Sequence, residues 1–322
     1  MSEFKMRRFF TFAVSAVALF LLLATFVGLA GSFFWIFDIC NNFRVQFLVA
    51  SFVGLGLSLI LRSRILLGSY AMILVVNLSF IAPLYVAPSD HSEVDASSRE
   101  VSVVSYNAWL RNDDWESIKS VLEAENPSII YLTELHPDIE TRIKSLQNVF
   151  HIFRKKSDAI LVRRDAMLNP RLVVNAEVDA LPGIVVSMKF EKVELMFLGI
   201  HPAAPLSGEA TRRRDESFDA VASIVEEADE LVIVAGDFNA TSWSSPFRRL
   251  QKRTGLVNSQ RGEGIQATWP SYPGSYFNGL LRIPIDHCLH SPEIMTLNRA
   301  VGDAGKSNHN PIRVDLIIPV SR

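Results

Sequence analysis

The run Leu231-Val232-Ile233-Val234-Ala235 leads directly into Gly236-Asp237-Phe238-Asn239-Ala240. Side chains alternate along a strand, so Asp237 and Asn239 leave its end on the same side. A carboxylate that only accepts, beside an amide that donates and accepts, suits a hard cation and the oxygens of a phosphate group. The arrangement recurs along the chain. Ile129–Thr133 delivers Glu134, Val103–Tyr106 delivers Asn107, Leu198–Ile200 delivers His201, and Ile285 delivers Asp286, while His309 precedes the last apolar run. Alone, each has an ordinary reading: a strand-end Asp or Asn forms turns, a Glu after a strand is solvated, and a His is simply polar. Together they point to one shared rim. Phosphoester hydrolysis needs a hard cation, a base working near neutral pH and donors to the equatorial oxygens. Carboxylate, imidazole and amide supply these in turn. The chain has no Gly-x-x-x-x-Gly-Lys phosphate loop, no Gly-x-Ser-x-Gly elbow and no His/Cys zinc set.

Alternating elements must position these groups. Glu100–Ser105, Ser128–Leu132, Ala159–Val162, Gly183–Phe190, Val193–Ile200, Leu231–Ala235, Pro284–His290 and Ile312–Val320 read as strands, with a hairpin turn at Glu191-Lys192. Trp115–Glu125, Ala210–Glu230 and Ser244–Thr254 read as helices, the first stopping before Asn126-Pro127. This is the pattern of one α/β domain.

In this order the motifs resemble the endonuclease/exonuclease/phosphatase superfamily, whose members include deoxyribonuclease I, AP endonucleases, neutral sphingomyelinases and inositol polyphosphate 5-phosphatases. The resemblance rests on Asn107 in SYNAWLRN, Glu134 in IIYLTEL, His201 in GIHPAAP, Asp237 and Asn239 in GDFNA, Asp286 in IDHCLHS and His309 in SNHNPI. It covers about residues 100–320, GDFNA being its most specific piece. It implies a four-layer α/β/β/α sandwich, like that of deoxyribonuclease I, and Mg²⁺-dependent hydrolysis, with Mn²⁺ as a substitute. Carried across by position, Glu134 would hold the metal, helped by Asn107. Asp286 would orient His309, which acts as general base or stabilises the phosphate. Asp237 would orient or deprotonate the attacking water, and Asn239 and His201 would bond the phosphoryl oxygens. The family usually has Ser-Asp-His before the last strand, whereas this chain has Ser307-Asn308-His309. Asn308 keeps an acceptor oxygen but loses a charge, which weakens any second metal position.

Composition divides the chain in two. Its 322 residues carry net charge −2 and 49% hydrophobic residues, with a mean hydropathy of +0.21 that is high for a soluble protein. Residues 1–88 hold only Glu3, Lys5, Arg7, Arg8, Asp38, Arg44, Arg62 and Arg64 as charges, which leaves net −6 on residues 89–322. Three uncharged runs, at about 9–31, 45–61 and 65–87, are long enough to cross a bilayer. Residues 89–99 read as a solvated linker, and 100–322 as the catalytic domain. Lys5, Arg7 and Arg8, with Arg62 and Arg64, belong on the cytoplasmic side, while Arg44 is set against Asp38. The expected layout is a multi-pass inner-membrane protein with its N-terminus cytoplasmic and its catalytic domain outside.

Two cysteines exclude a disulfide framework. The acidic domain lacks the basic excess of a tight nonspecific nucleic-acid binder, although a bound cation offsets local charge. Nucleic acid, a phospholipid headgroup and a small phosphoester therefore all stay open as substrates, with the lipid bilayer as a partner. The alternatives to a general phosphodiesterase or phosphatase are a sphingomyelinase-like enzyme and a catalytically weak phosphate-ligand sensor. Arg212-Arg213-Arg214 reads first as a solvated helix face paired with Asp215 and Glu216, and Asn112 equally as a member of the first loop's metal shell or as a turn residue.

Overall fold

The computed structural model describes residues 3–88, 98–124, 126–190, 192–272 and 278–319. Four helices come first: α1 (Glu3–Leu29), α2 (Trp35–Asn41), α3 (Arg44–Leu61) and α4 (Arg64–Ile81). α1, α3 and α4, the last with the 3₁₀ turn that follows it, are long and apolar enough to be candidate membrane spans. They pack through Val14, Ala18 and Leu21 of α1, Phe47 of α3, and Leu66, Tyr70 and Ile73 of α4. Phe12, Phe20, Ile60 and Val75 on the outer faces remain exposed, as in helices whose solvent is lipid. α1 begins earlier than the expected 9, because the turn bearing Lys5, Arg7 and Arg8 continues as helix. α4 stops at Ile81, short of the expected 87, and passes into a 3₁₀ turn over Ala82–Tyr85. Pro83 has no N–H to continue an α-helical ladder. Most of the expected linker lies outside the described residues, and its last residue, Arg99, already opens the first strand.

The remainder forms two six-stranded mixed sheets. The strands are β1 (Arg99–Asn107), β2 (Ile129–Thr133), β3 (Phe150–Lys155), β4 (Asp158–Arg163), β5 (Arg171–Leu172), β6 (Gly183–Phe190), β7 (Val193–Ile200), β8 (Leu231–Asp237), β9 (Val257–Asn258), β10 (Asp286–His290), β11 (Met295–Val301) and β12 (Ile312–Ile318). One sheet runs β11-β12-β1-β2-β4-β3 and the other β5-β6-β7-β8-β10-β9. Among the described residues six further helices accompany them: α5 (Trp115–Ala124), α6 (Pro137–Arg142), α7 (Ala176–Ala180), α8 (Gly208–Glu227), α9 (Ser245–Thr254) and the short α10 (Asn278–Leu281). Of the expected ends, Glu125 of the first helix, Glu191 of the hairpin turn and Val320 of the last strand lie outside the described residues.

Period-2 alternation builds the layers. Val101, Val103, Ile129 and Tyr131 of one sheet meet Ile184, Phe197, Ile233 and Ala235 of the other in a central core. Intervening residues face outward: Val104, Tyr106 and Ile130 meet Ile118 and Leu122 of α5, while Val232 and Val234 meet Phe218 and Val221 of α8 and Phe247 of α9. The result is the deoxyribonuclease I-like α/β/β/α sandwich. Continuing the inward-facing series reaches Asn107, Thr133 and Asp237 as the last residues of β1, β2 and β8, and His201 just past β7. Alternation thus carries all four to the edge between the sheets. Gly199 helps the sheets meet there: a Cβ on it would fall 2.3 Å from the Tyr131 ring of the opposite sheet.

Candidate active site

Register brings the carboxylates together. β8 and β10 pair antiparallel with Asp237 opposite Asp286, and β1 and β2 pair parallel with Asn107 opposite Thr133. Gly236 between the core and Asp237 lies at φ +154°, with the Ile200 carbonyl 1.9 Å from where a Cβ would be. Only glycine lets β7 and β8 approach so closely there. Glu134 and Asn239 both adopt left-handed backbone (φ 53° and 49°) immediately past their strands. Strain of this kind at non-glycine residues is held where surrounding structure over-determines it.

Asp237 is the hub. Its Oδ2 accepts from the Asn107 amide at 3.1 Å and lies 3.7 Å from His201 Nε2 and 3.6 Å from His309 Nε2, while its Oδ1 accepts from the Asn239 N–H. The same Asn107 amide donates to Glu134 Oε1 at 3.1 Å, and His201 Nε2 is 3.5 Å from that oxygen. His309 Nδ1 sits 3.0 Å from Asp286 Oδ2, the contact by which a carboxylate fixes an imidazole tautomer. Burial opposes a charge on His309, but Asp286 and Asp237 on either side outweigh it and push its pKa up to about 9. Burial raises the Asp237 carboxyl, against the pull of His309.

Seven of the eight expected site residues meet directly or through one intermediate. Asn308 lines the same cavity, and its buried Oδ1 has no hydrogen-bond partner, as is also true of Asp286 Oδ1. One Asn239 amide hydrogen is committed to the Pro202 carbonyl, 3.0 Å away. Asn112 accepts from the Asp114 N–H and belongs to a turn. The arginine run departs from a uniformly solvated face. Arg212 is exposed and pairs with Glu209 and Glu216, but Arg214 is buried and reaches Asp215, Asp38 and the Asn239 carbonyl. Asp38 likewise does not pair directly with Arg44. Asn41 stands between them, donating to Asp38 and accepting from Arg44.

Two features escape the sequence reading. Thr133 donates to Asp158 at 2.7 Å, so its oxygen accepts from His201 Nδ1, 2.9 Å away. This relay leaves His201 Nε2 to face Glu134 and Asp237. Asp158 opens a strand after Lys155-Lys156-Ser157 and reads as an ordinary turn residue. The second feature is the far wall of the cavity, contributed by Ile39, Asn42 and Phe43 from the segment between α1 and α3.

Among the described residues two overlapping groups can hold a cation: Glu134, His201 and Asp237, and Asp237, Asp286 and His309, with ligand atoms in each group within 4.8 Å of one another. Carboxylate oxygens dominate both, and unpartnered Asp286 and Asn308 oxygens adjoin them. This donor set fits a hard divalent ion.

The Endonuclease/Exonuclease/phosphatase family model matches residues 104–309. The chain belongs to that family. Truncated Caenorhabditis elegans TDP2 superposes with a TM-score of 0.53 at 17% identity, over 68% of this chain and 98% of that one. D. rerio TDP2 complexed with single strand DNA product gives 0.53 at 17%, over 69% and 99%. A Bacteroides thetaiotaomicron mannosyl-6-phosphatase gives 0.51 at 17%, over 68% and 100%. At such identities the likeness is one of fold. No curated protein matches the chain by sequence.

Proposed function

We propose that the chain is a membrane-anchored, Mg²⁺-dependent phosphoester hydrolase whose catalytic domain lies outside the cytoplasm. The observation that carries this reading is the cavity in which both cation-binding groups share Asp237 beside the Asp286–His309 pair. Glu134 would hold Mg²⁺ or Mn²⁺, which when bound would neutralise phosphoryl oxygens, helped by Asn107, whose amide donates to Glu134 and Asp237 and orients both carboxylates. His309, held protonated between two carboxylates, donates from Nε2 to a phosphoryl oxygen where negative charge accumulates. Asp237 orients the attacking water and takes its proton. The water oxygen bonds to phosphorus as the bond to the leaving oxygen breaks, and that oxygen is reprotonated. The free amide hydrogen of Asn239 adds a donor, His201 presents Nε2 to the same space with its Nδ1 bound to Thr133, and Asn308 would support a second, weaker metal position.

The three candidate spans and their basic cytoplasmic ends support an inner-membrane anchor at 1–88. α2 and the catalytic domain lie at the same end of the helical bundle, opposite Arg62 and Arg64. Two assays test the reading. The full chain in detergent with Mg²⁺ is expected to hydrolyse at least one of DNA, a nitrophenyl phosphodiester and phospholipid; no turnover on any of them refutes it. A C-terminal alkaline phosphatase fusion is expected to be active outside, and a signal only from a cytoplasm-restricted reporter refutes the orientation.

A further inference from the structure

We infer that the phosphoester taken by this site is carried by a lipid of the surrounding bilayer, with the segment between α1 and α3 forming the wall against which its apolar part lies. The inference rests on the hydrolase reading and names its substrate class. The cavity, about 490 Å³, has Glu134, His201, Asp237 and His309 on one side and Ile39, Asn42 and Phe43 on the other. Phe43 is the residue from which α3, a candidate span, starts. The cavity therefore opens at the level where the chain enters the membrane.

Polar contacts fix that placement. Asp38 accepts from the Ser244 hydroxyl at 2.8 Å and the Ser245 N–H at 2.7 Å, and Asn42 accepts from the Thr241 hydroxyl at 3.1 Å. Gln46, in the first turn of α3, donates to the Leu280 and Arg282 carbonyls, both at 3.3 Å. Two exposed leucines belong to these segments. Leu206, which lines the cavity, is 86% exposed, and Leu280 beside α3 is 65% exposed. Large exposed apolar groups grouped around a site mark a surface meant for an apolar partner, and here the nearest apolar phase is the bilayer entered by α3. A sugar phosphate or nucleotide gains nothing from such a rim. A nucleic acid would look for a basic track, which a region of net charge −6 does not favour.

The test uses the full chain in detergent micelles with Mg²⁺. Its substrates are dioleoyl phosphatidylglycerol and phosphatidic acid, against the soluble bis(nitrophenyl) phosphate and nitrophenyl phosphate. The expected result is turnover of at least one micellar lipid. Leu206→Asn combined with Leu280→Asn should lower kcat/KM on the lipid, relative to the soluble ester, by about tenfold, the scale of lost apolar burial. Both positions are exposed, so the fold should survive, and an unchanged unfolding temperature checks it. Turnover of a soluble ester with none of either lipid, or an unchanged ratio in the double variant, overturns the inference and leaves the hydrolase reading standing. No turnover of any substrate removes both.

Discussion

The helical bundle and the sandwich rim both bury polar side chains, but they treat them in opposite ways. At the junction between bundle and domain one set of groups is linked side chain to side chain, although Gln46 Oε1, Ser242 Oγ and Trp243 Nε1 around it have no partner. Thr25 and Arg44 both bond Asn77, Arg44 bonds Asn41, Asn41 bonds Asp38, and Asp38 takes donors from Ser244, Ser245 and Arg214. Arg44 also lays its guanidinium 3.6 Å from the Phe80 ring centroid, leaving only Nε unpartnered. At the rim, Asp286 and Asn308 each keep a buried oxygen with no donor, and His201 Nε2 faces two carboxylates. Buried polar atoms left open are costly, so they persist where a ligand completes them. The first network fixes one region to another, whereas the second is incomplete in a way that suits a cation and a phosphate.

The sharpest way to break this contrast is to delete members of the open set. His309→Ala and Glu134→Ala are each expected to lower turnover by about 10³-fold or more, and Glu134→Ala, at a half-buried carboxylate, should do so with little change in unfolding temperature. Chelation should abolish activity, and Mg²⁺ or Mn²⁺ should restore it. Either variant retaining full activity would show that the open set is not the catalytic one.

Deleting a member of the closed set should do the reverse. Asp38→Ala leaves Arg214, which is buried, with a partner lost, and frees the Ser244 hydroxyl and Ser245 N–H. Breaking a buried pair from one side costs about 3–5 kcal/mol. The full chain in detergent should therefore unfold at clearly lower temperature, while turnover of a soluble ester at low temperature falls far less than in His309→Ala. If Asp38→Ala cost as much turnover as His309→Ala, the two networks would not be separable, since Arg214 also touches the Asn239 carbonyl.

The contrast also separates what was legible in the sequence from what was not. Most rim residues follow an apolar run, and period-2 alternation is a local property. Asn107, His201 and Asp237 could thus be placed at one edge before any fold was known. The junction is made by contacts far apart in the chain: Asp38 and Arg214 are 176 residues apart and Asn42 and Thr241 are 199 apart. Locally Arg214 looks like its neighbours Arg212 and Arg213, and α2 looks like a connection between spans. The Thr133–Asp158 relay was hidden for the same reason, because Asp158 acquires its role only when β2 and β4 pair.

A smaller effect follows from the charge on His309. In the metal-free protein its pKa stands near 9 against an ordinary 6.5, because Asp286 and Asp237 outweigh the effect of burial. The folded state then holds a proton that the unfolded chain releases. This stabilisation is fully present below pH 6.5 and is lost as the pH rises through about 9. Chemical denaturation of the chelated protein at pH 6.5, 8 and 9.5 should show falling stability, with a shallower fall in His309→Gln. A fall of equal steepness in that variant would place the titrating group elsewhere.

The smallest expected change tests the open set at its one departure from the family pattern. Asn308 is buried with its Oδ1 unpartnered. Asn308→Asp puts a carboxylate there, in the same cavity as Asp237 and Glu134. Without a cation, the added charge repels its neighbours and is poorly solvated, so the chelated variant should be less stable than the parent. With Mg²⁺ the same charge strengthens the donor set, so the half-saturating Mg²⁺ concentration should fall and turnover rise a few-fold, about 1 kcal/mol in effect. The decisive quantity is the difference in unfolding temperature with and without Mg²⁺, which should be larger in the variant than in the parent. Equal differences would mean that residue 308 does not face the cation, and the open oxygen there would then belong with the structural polar groups rather than with the site.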